Sequence, residues 1–188
     1  MPQKSRLKTA VAMAHQLVKE CISSGDTAID ATLGNGHDAL FLANQVGAEG
    51  KVIGLDIQSV AVEASRVRLK AHPQVELHCL GHENLGHFAG SAPRVIMFNL
   101  GYCPGADKSI ITLPSTTVPA LQAASELLAP GGLLTIAVYT GHEGGPAEGD
   151  AVTQWAAGLC QDQFAVAQYQ FLNQKNCPPY LVAVERKG

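Results

Sequence analysis

The run Asp30-Ala31-Thr32-Leu33-Gly34-Asn35-Gly36-His37-Asp38 constrains this chain more than any other stretch. A short apolar segment, Thr27-Ala28-Ile29, precedes it, and a helical pattern opens directly after it. The spacing predicts a strand, a tight glycine turn and a helix N-terminus. Such a turn presents backbone N–H groups and the positive end of a helix dipole to a ligand, and its glycines let the ligand come close. Asp30, at the end of the strand, would repel a pyrophosphate and attract an ammonium group.

Hydrophobic periodicity places further elements around this turn. Leu7, Val11, Ala14, Leu17, Val18 and Cys21 recur at helical spacing, so a helix is expected over residues 5–22. Strands are expected at 27–31, 51–56, 75–80, 94–99 and 133–139, with helices at 36–46, 60–70, 116–128 and 150–160 between or after them. The run at 94–99 is almost continuously apolar, as in a strand covered on both faces. Strand and helix alternate until the end, where strands at 164–172 and 180–185 follow each other directly. Alternation implies a doubly wound, mostly parallel sheet, and the closing pair implies one antiparallel strand. A seven-stranded sheet with a reversed final strand is the layout of the Rossmann-like class I S-adenosylmethionine (SAM)-dependent methyltransferases, an α/β fold. The 188 residues are expected to form one domain, 1–188, with the N-terminal helix packed on it.

Two cofactors suit the glycine turn. Gly34-Asn35-Gly36-His37-Asp38-Ala39 fits the dinucleotide pattern GxGxxG/A, and Asp56 lies 20 residues past Gly36, where an acid can bind ribose hydroxyls. NAD is therefore a rival to SAM. Three features favour SAM: the carboxylate of Asp30, the Pro130-Gly131-Gly132 turn before the fifth strand, and a chain too short for a separate dehydrogenase substrate domain. On this reading Gly34 and Gly36 admit the methionine part, and Asp30 receives its ammonium directly or through water. Asp56 binds the ribose diol, Ile57 packs on adenine, and His82 and Glu83 lie at the adenine edge. Thr32, Asn35, Asp38, Gln58 and Asn99 complete the expected cofactor-binding set. The plainer alternatives are a loop-capping role for Asp30 and a helix-capping role for His82 and Glu83.

The acceptor site is expected where the fourth strand ends, at Asn99-Leu100-Gly101-Tyr102. Enzymes that methylate an amine on a base often carry Asp/Asn-Pro-Pro-Tyr/Phe there. Their first residue accepts hydrogen bonds from the amine, and the aromatic ring stacks on the base. Here the two ends of that pattern are kept and the middle is changed, and an ordinary loop with a core tyrosine is the plainer alternative. Cys177-Pro178-Pro179-Tyr180 matches the motif more literally, but its prolines more simply shape the turn into the last strand. Asn173 and Asn176 are expected near the rim. Glycines flank His142 in Tyr139-Thr140-Gly141-His142-Glu143-Gly144-Gly145, so His142 is a candidate to position the acceptor or take a proton. Asn99, Tyr102 and His142 form the expected catalytic set.

Five blocks occur together and in order: residues 30–38, Gly81-His82-Glu83-Asn84-Leu85, Asn99 to Tyr102, Tyr139 to Gly145, and Asn173 to Tyr180. This set resembles the tRNA 5-(aminomethyl)-2-thiouridine methyltransferase family (MnmM, YtqB-like), formerly labelled rRNA methylase. The resemblance spans most of the chain. It implies SAM-dependent N-methylation of an aminomethyl group on the wobble uridine of tRNA, with the anticodon region of tRNA as partner. The family pattern has a larger apolar residue after Tyr102 and a second glycine after Gly105, where this chain has Cys103 and Ala106. Those changes bear on substrate fit, not on reaction class.

Composition narrows the rest. A net charge of −3 does not mark a general nucleic-acid binder, although Lys4, Arg6 and Lys8, and Arg66, Arg68 and Lys70, form local basic groups. The five cysteines form no CxxC pair, so no metal site is expected. No apolar run is long enough to span a bilayer, and a cytoplasmic protein without membrane contact is expected. A methyltransferase of rRNA or of a small amine, a non-catalytic nucleotide-binding module and an NAD enzyme are the competing readings. A homodimer would offer RNA a wider surface.

Overall fold

The computed structural model describes residues 6–88, 90, 92–101 and 111–188. Its elements run α1 (Ala10–Cys21), β1 (Thr27–Asp30), α2 (His37–Val46), β2 (Lys51–Asp56), α3 (Ser59–Arg68) and β3 (Val75–Cys79). A 3-10 helix (His82–Phe88) follows, then β4 (Val95–Leu100), α4 (Pro114–Leu127), β5 (Leu133–Val138), α5 (Gly145–Ala157), β6 (Phe164–Tyr169) and β7 (Tyr180–Arg186). The strands form one sheet in the order β3-β2-β1-β4-β5-β7-β6. All pairs are parallel except those made by β7, which runs antiparallel to both β5 and β6. This is the expected class I methyltransferase layout.

Side-chain alternation along the strands builds a core on each face. Ile96, Phe98 and Leu100 point to one side, where Ala120, Leu121 and Ala124 of α4 and Val152 and Ala156 of α5 cover them. Val95 and Met97 point to the other, against Ala14 and Val18 of α1 and Leu42 and Val46 of α2. Both faces of β4 are therefore dry, which explains its unbroken apolar run.

Several boundaries differ from expectation, two helix starts among them, and one short helix adds to the expected elements. Helix α1 starts at Ala10, where Thr9 accepts the Ala12 N–H as N-cap. Helix α5 starts at Gly145, five residues early, because Gly144 takes the left-handed conformation (φ 80°) and Pro146 fits the first helical turn. The 3-10 helix after β3 has no apolar period of its own. Its His82 and Leu85 are buried under α4 instead.

The register sets the site. Asp30 pairs with Gly54 of β2 and with Met97 of β4, so the carboxyl ends of β1, β2 and β4 open on one cleft. Connections diverge on either side of β1 and β4, and that divergence is where doubly wound sheets hold ligands.

Candidate active site

A cavity of about 270 Å³ occupies this cleft. Thr32, Gly34, Asp56, Ile57, Gln58, His82, Glu83 and Asn99 line it, together with Leu55, Gly101, Ile111, Thr112 and Thr116. The structure thus brings together most of the expected cofactor set.

The glycine turn is held from below. Gly36 has φ 73° and caps α2, and a Cβ there would stand 2.7 Å from Ser65 Oγ, so only glycine meets both the left-handed conformation and the close approach of α3. Ser65 Oγ donates to the Gly34 carbonyl (3.0 Å) and Arg68 Nε to the Asn35 carbonyl (2.6 Å). Sequence inspection had no signal for Ser65 beyond its helical period. Arg68, part of the local basic group on this helix, pins the turn. Gly36 and Asn35 support this turn and are not among the residues lining the cavity.

Asp56 ends β2 and takes two backbone N–H bonds, from Gly34 (2.8 Å) and Gln58 (2.9 Å), one on each carboxylate oxygen. These fix its plane, and a carboxylate retains further lone pairs for a diol. Beside it Ile57 is 63% exposed, an apolar side chain at the cavity wall that an adenine face would cover. His82 is buried with its ring edge-on to Phe98 at 5.9 Å. Burial pushes its pKa down, against the pull of Glu83, Glu148 and Asp56, which leaves a neutral ring. Acid for a diol, apolar wall for a base and glycine turn for a chain backbone fit the adenosine and methionine parts of SAM.

Asp30 departs from the expected ammonium contact. It is fully buried beneath the turn and does not line the cavity. Its carboxylate accepts N–H bonds from Thr32 and Ala39, and its Oδ2 has no hydrogen-bond partner among the described residues. Burial above all, and then the charge of Asp38, holds its carboxyl well above the usual carboxylate range. Any influence of Asp30 on a cofactor therefore passes through the turn it braces.

Asp38 also departs from the cofactor set. Its Oδ1 lies 2.6 Å from His15 Nε2 and its Oδ2 accepts from Asn99 Nδ2 at 2.5 Å. The Asn99 backbone N–H donates to Thr32 Oγ1 at 2.6 Å, tying β4 to the turn. His15 stacks on Phe41 (centroids 4.0 Å, planes 8° apart), with Lys19 Nζ 5.8 Å from the same ring. His15, which no sequence motif singles out, thus reaches the β4 end from a different helix.

Gly101 stands two residues past Asn99 with φ 141°, and a Cβ on it would lie 3.4 Å from His142 Nε2 and 3.6 Å from Tyr139 Cβ. His142 Nδ1 faces the Glu143 carbonyl at 2.9 Å, so Nδ1 is the donor there and Nε2 is the nitrogen turned toward Gly101. Burial and the Asp38 charge push the Tyr139 hydroxyl up, so it stays protonated. The Cys177 carbonyl lies 3.9 Å from the Cβ position of Gly141, which puts Cys177 beside the His142 loop, while Asn173 and Asn176 do not line the cavity. Tyr180 is buried and donates to the Gly149 carbonyl at 3.0 Å, so the Pro-Pro-Tyr segment is a turn into β7. Tyr102, Cys103 and Ala106 lie outside the described residues.

A buried carboxylate that sequence reading missed closes the far wall. Glu148, 1% exposed in the first turn of α5, accepts from Thr112 Oγ1 (2.7 Å) and Thr117 Oγ1 (2.6 Å). Thr112 Oγ1 in turn accepts the Gly101 N–H at 2.8 Å. The mistaken helix start hid Glu148 in a presumed loop.

Known proteins carry the same pattern. Residues 52–185 match the family described as "Putative rRNA methylase". The tRNA (mnm(5)s(2)U34)-methyltransferase, chloroplastic, of Arabidopsis thaliana is 39% identical over 96% of this chain and 71% of its own. A "putative rRNA-methylase" structure from Clostridium thermocellum superposes with TM-score 0.94 at 39% identity, covering 97% of this chain and all of that one. A Streptococcus mutans "putative methyltransferase" in complex with SAH has TM-score 0.88 at 37% identity, over 96% and 99% of the two chains. With the cleft geometry, these matches make the chain a SAM-dependent methyltransferase of class I that belongs to the "Putative rRNA methylase" family.

Proposed function

We infer that the enzyme transfers a methyl group to the aminomethyl nitrogen of a 5-aminomethyl-(2-thio)uridine at the wobble position of tRNA. The observation that carries this reading is Asn99 at the end of β4. Its Nδ2 is committed to Asp38, so its Oδ1 is the atom it offers to an N–H donor in the cleft. An aliphatic amine is such a donor, and it is nucleophilic once it has lost a proton. The name of the plant relative, 39% identical along nearly all of this chain, supports tRNA and position 34.

SAM, when bound, supplies an electrophilic methyl on sulfur: the N–C bond forms, the C–S bond breaks, and one proton leaves the nitrogen. Asn99 Oδ1 holds the neutral amine in line for attack, a contribution of orientation. His142, whose Nε2 is turned toward Gly101 at the cavity wall, is the side chain we assign to assist departure of the proton. Asp56 grips the ribose and Ile57 the adenine of the cofactor.

We place the reaction in the cytoplasm, on a homodimer that widens the RNA surface of one 188-residue domain. Among the described residues no helix is long and apolar enough to cross a membrane. Mass spectrometry of tRNA nucleosides from a strain lacking the gene tests the reading. Loss of the methylated wobble nucleoside with build-up of its aminomethyl precursor is expected. A normal wobble profile with a missing rRNA methyl group would instead assign the enzyme to rRNA.

A further inference from the structure

We propose that His15 and Asp38 are positioning residues for methyl transfer: together they fix which end of the Asn99 amide faces the acceptor. This inference rests on the amine-acceptor reading of Asn99 given above. An asparagine amide has two nearly isosteric ends, one donating and one accepting, and rotation by half a turn exchanges them. Facing an amine with its NH2 end, Asn99 would repel the N–H bonds it has to accept. The orientation therefore needs an external lock.

Asp38 is that lock. A carboxylate oxygen only accepts, so Asp38 Oδ2 at 2.5 Å compels Asn99 to present Nδ2 to it. Asp38 is 8% exposed, and solvent therefore competes little for this bond. The carboxylate itself must not swivel, and His15 prevents that by occupying Oδ1 at 2.6 Å. The His15 ring is in turn fixed by its stack on Phe41, planes 8° apart, on α2, which also carries Asp38. Asp38 does not line the cavity and Asn99 does, so the amine meets Asn99 and not Asp38. Phe41, His15 and Asp38 carry rigidity from α1 and α2 to the end of β4, where Asn99 alone of the four meets the acceptor.

Three variants separate this role from general stabilisation. His15→Phe keeps a ring against Phe41 and removes the donor, and His15→Gln restores an N–H donor. Asp38→Ala removes the lock. In ¹⁵N-labelled protein the Asn99 side-chain amide is observed directly. Its proton shifts are expected to move in Asp38→Ala and His15→Phe and to stay near wild type in His15→Gln. With tRNA carrying the unmethylated 5-aminomethyl-(2-thio)uridine and SAM, His15→Phe is expected to lower kcat by on the order of tenfold to a hundredfold, with KM for tRNA and Kd for SAM within about twofold, and His15→Gln to recover most of the loss. Wild-type kcat in His15→Phe overturns the proposal, as does a change confined to KM. Equal losses in the Phe and Gln variants overturn it as well. A wild-type enzyme inactive on tRNA would sink the substrate reading alone, and the amide shifts would still decide whether the lock exists.

Discussion

In the cofactor half of the cleft each holding bond has a main-chain group at one end, whereas the acceptor half hangs on bonds between side chains brought from four elements. Asp56 is steadied by the N–H groups of Gly34 and Gln58, and the turn by bonds from Ser65 and Arg68 to its carbonyls. At the other end, His15 of α1, Asp38 of α2, Asn99 of β4 and Tyr139 beyond β5 converge with no main-chain scaffold in common. Backbone donors survive most substitutions, so the first half is a generic grip. A relay of side chains fails when any member changes, so the second half is where substrate choice is written.

Substitutions at the two ends should therefore separate binding from turnover. The largest effect is expected for Asn99→Ala, with kcat down by about a hundredfold and SAM affinity within about twofold. Single-turnover kinetics and calorimetry check this, and weakened SAM binding would erase the division. Asp56→Ala should do the converse. Losing a charged acceptor of the diol weakens SAM binding by about tenfold to a hundredfold, and equal affinity by calorimetry would remove the ribose role.

Glu148→Ala tests the seam between the halves. It strips the acceptor from Thr112 and Thr117, and Thr112 holds the Gly101 N–H. A loss of about 1–3 kcal/mol in urea unfolding is expected, with methyl transfer falling more than SAM affinity. The smallest effect is a pH slope. Burial lowers the folded pKa of His82, so below about 6.5 the unfolded chain binds more protons than the folded one. Stability from His82 is thus fully present above that pH and falls as pH drops through the window toward the lowered value. His82→Gln should flatten the slope between pH 7 and 5, and an unchanged slope would place its origin elsewhere.

The same division governs what the sequence discloses. The strand–turn–helix at Asp30 to Asp38, the acid at the end of β2 and the closing antiparallel pair follow from local spacing, because their partners are near in the chain or repeat with a period. Strand β4 and its terminal Asn99 were legible for the same reason. The lock on Asn99 was not: His15 and Asp38 meet across 23 residues, Asp38 and Asn99 across 61, and nothing periodic marks them. The roles of Asp30 and Asp38 shifted because a carboxylate's neighbours are set by packing. Asp30 sank under the turn and Asp38 turned toward α1. Glu148 was missed through a two-glycine segment that resembles a loop but caps a helix early.

The position of β7 has a consequence in time. β7 lies between β5 and β6, although it is synthesised after both. Until it emerges from the ribosome, β5 keeps a bare edge and β6 has no strand to join. The order β3-β2-β1-β4-β5 can assemble beforehand, with the turn and Asp56 already in place. A nascent chain thus acquires its cofactor grip early and carries an open, aggregation-prone strand edge until its last strand arrives.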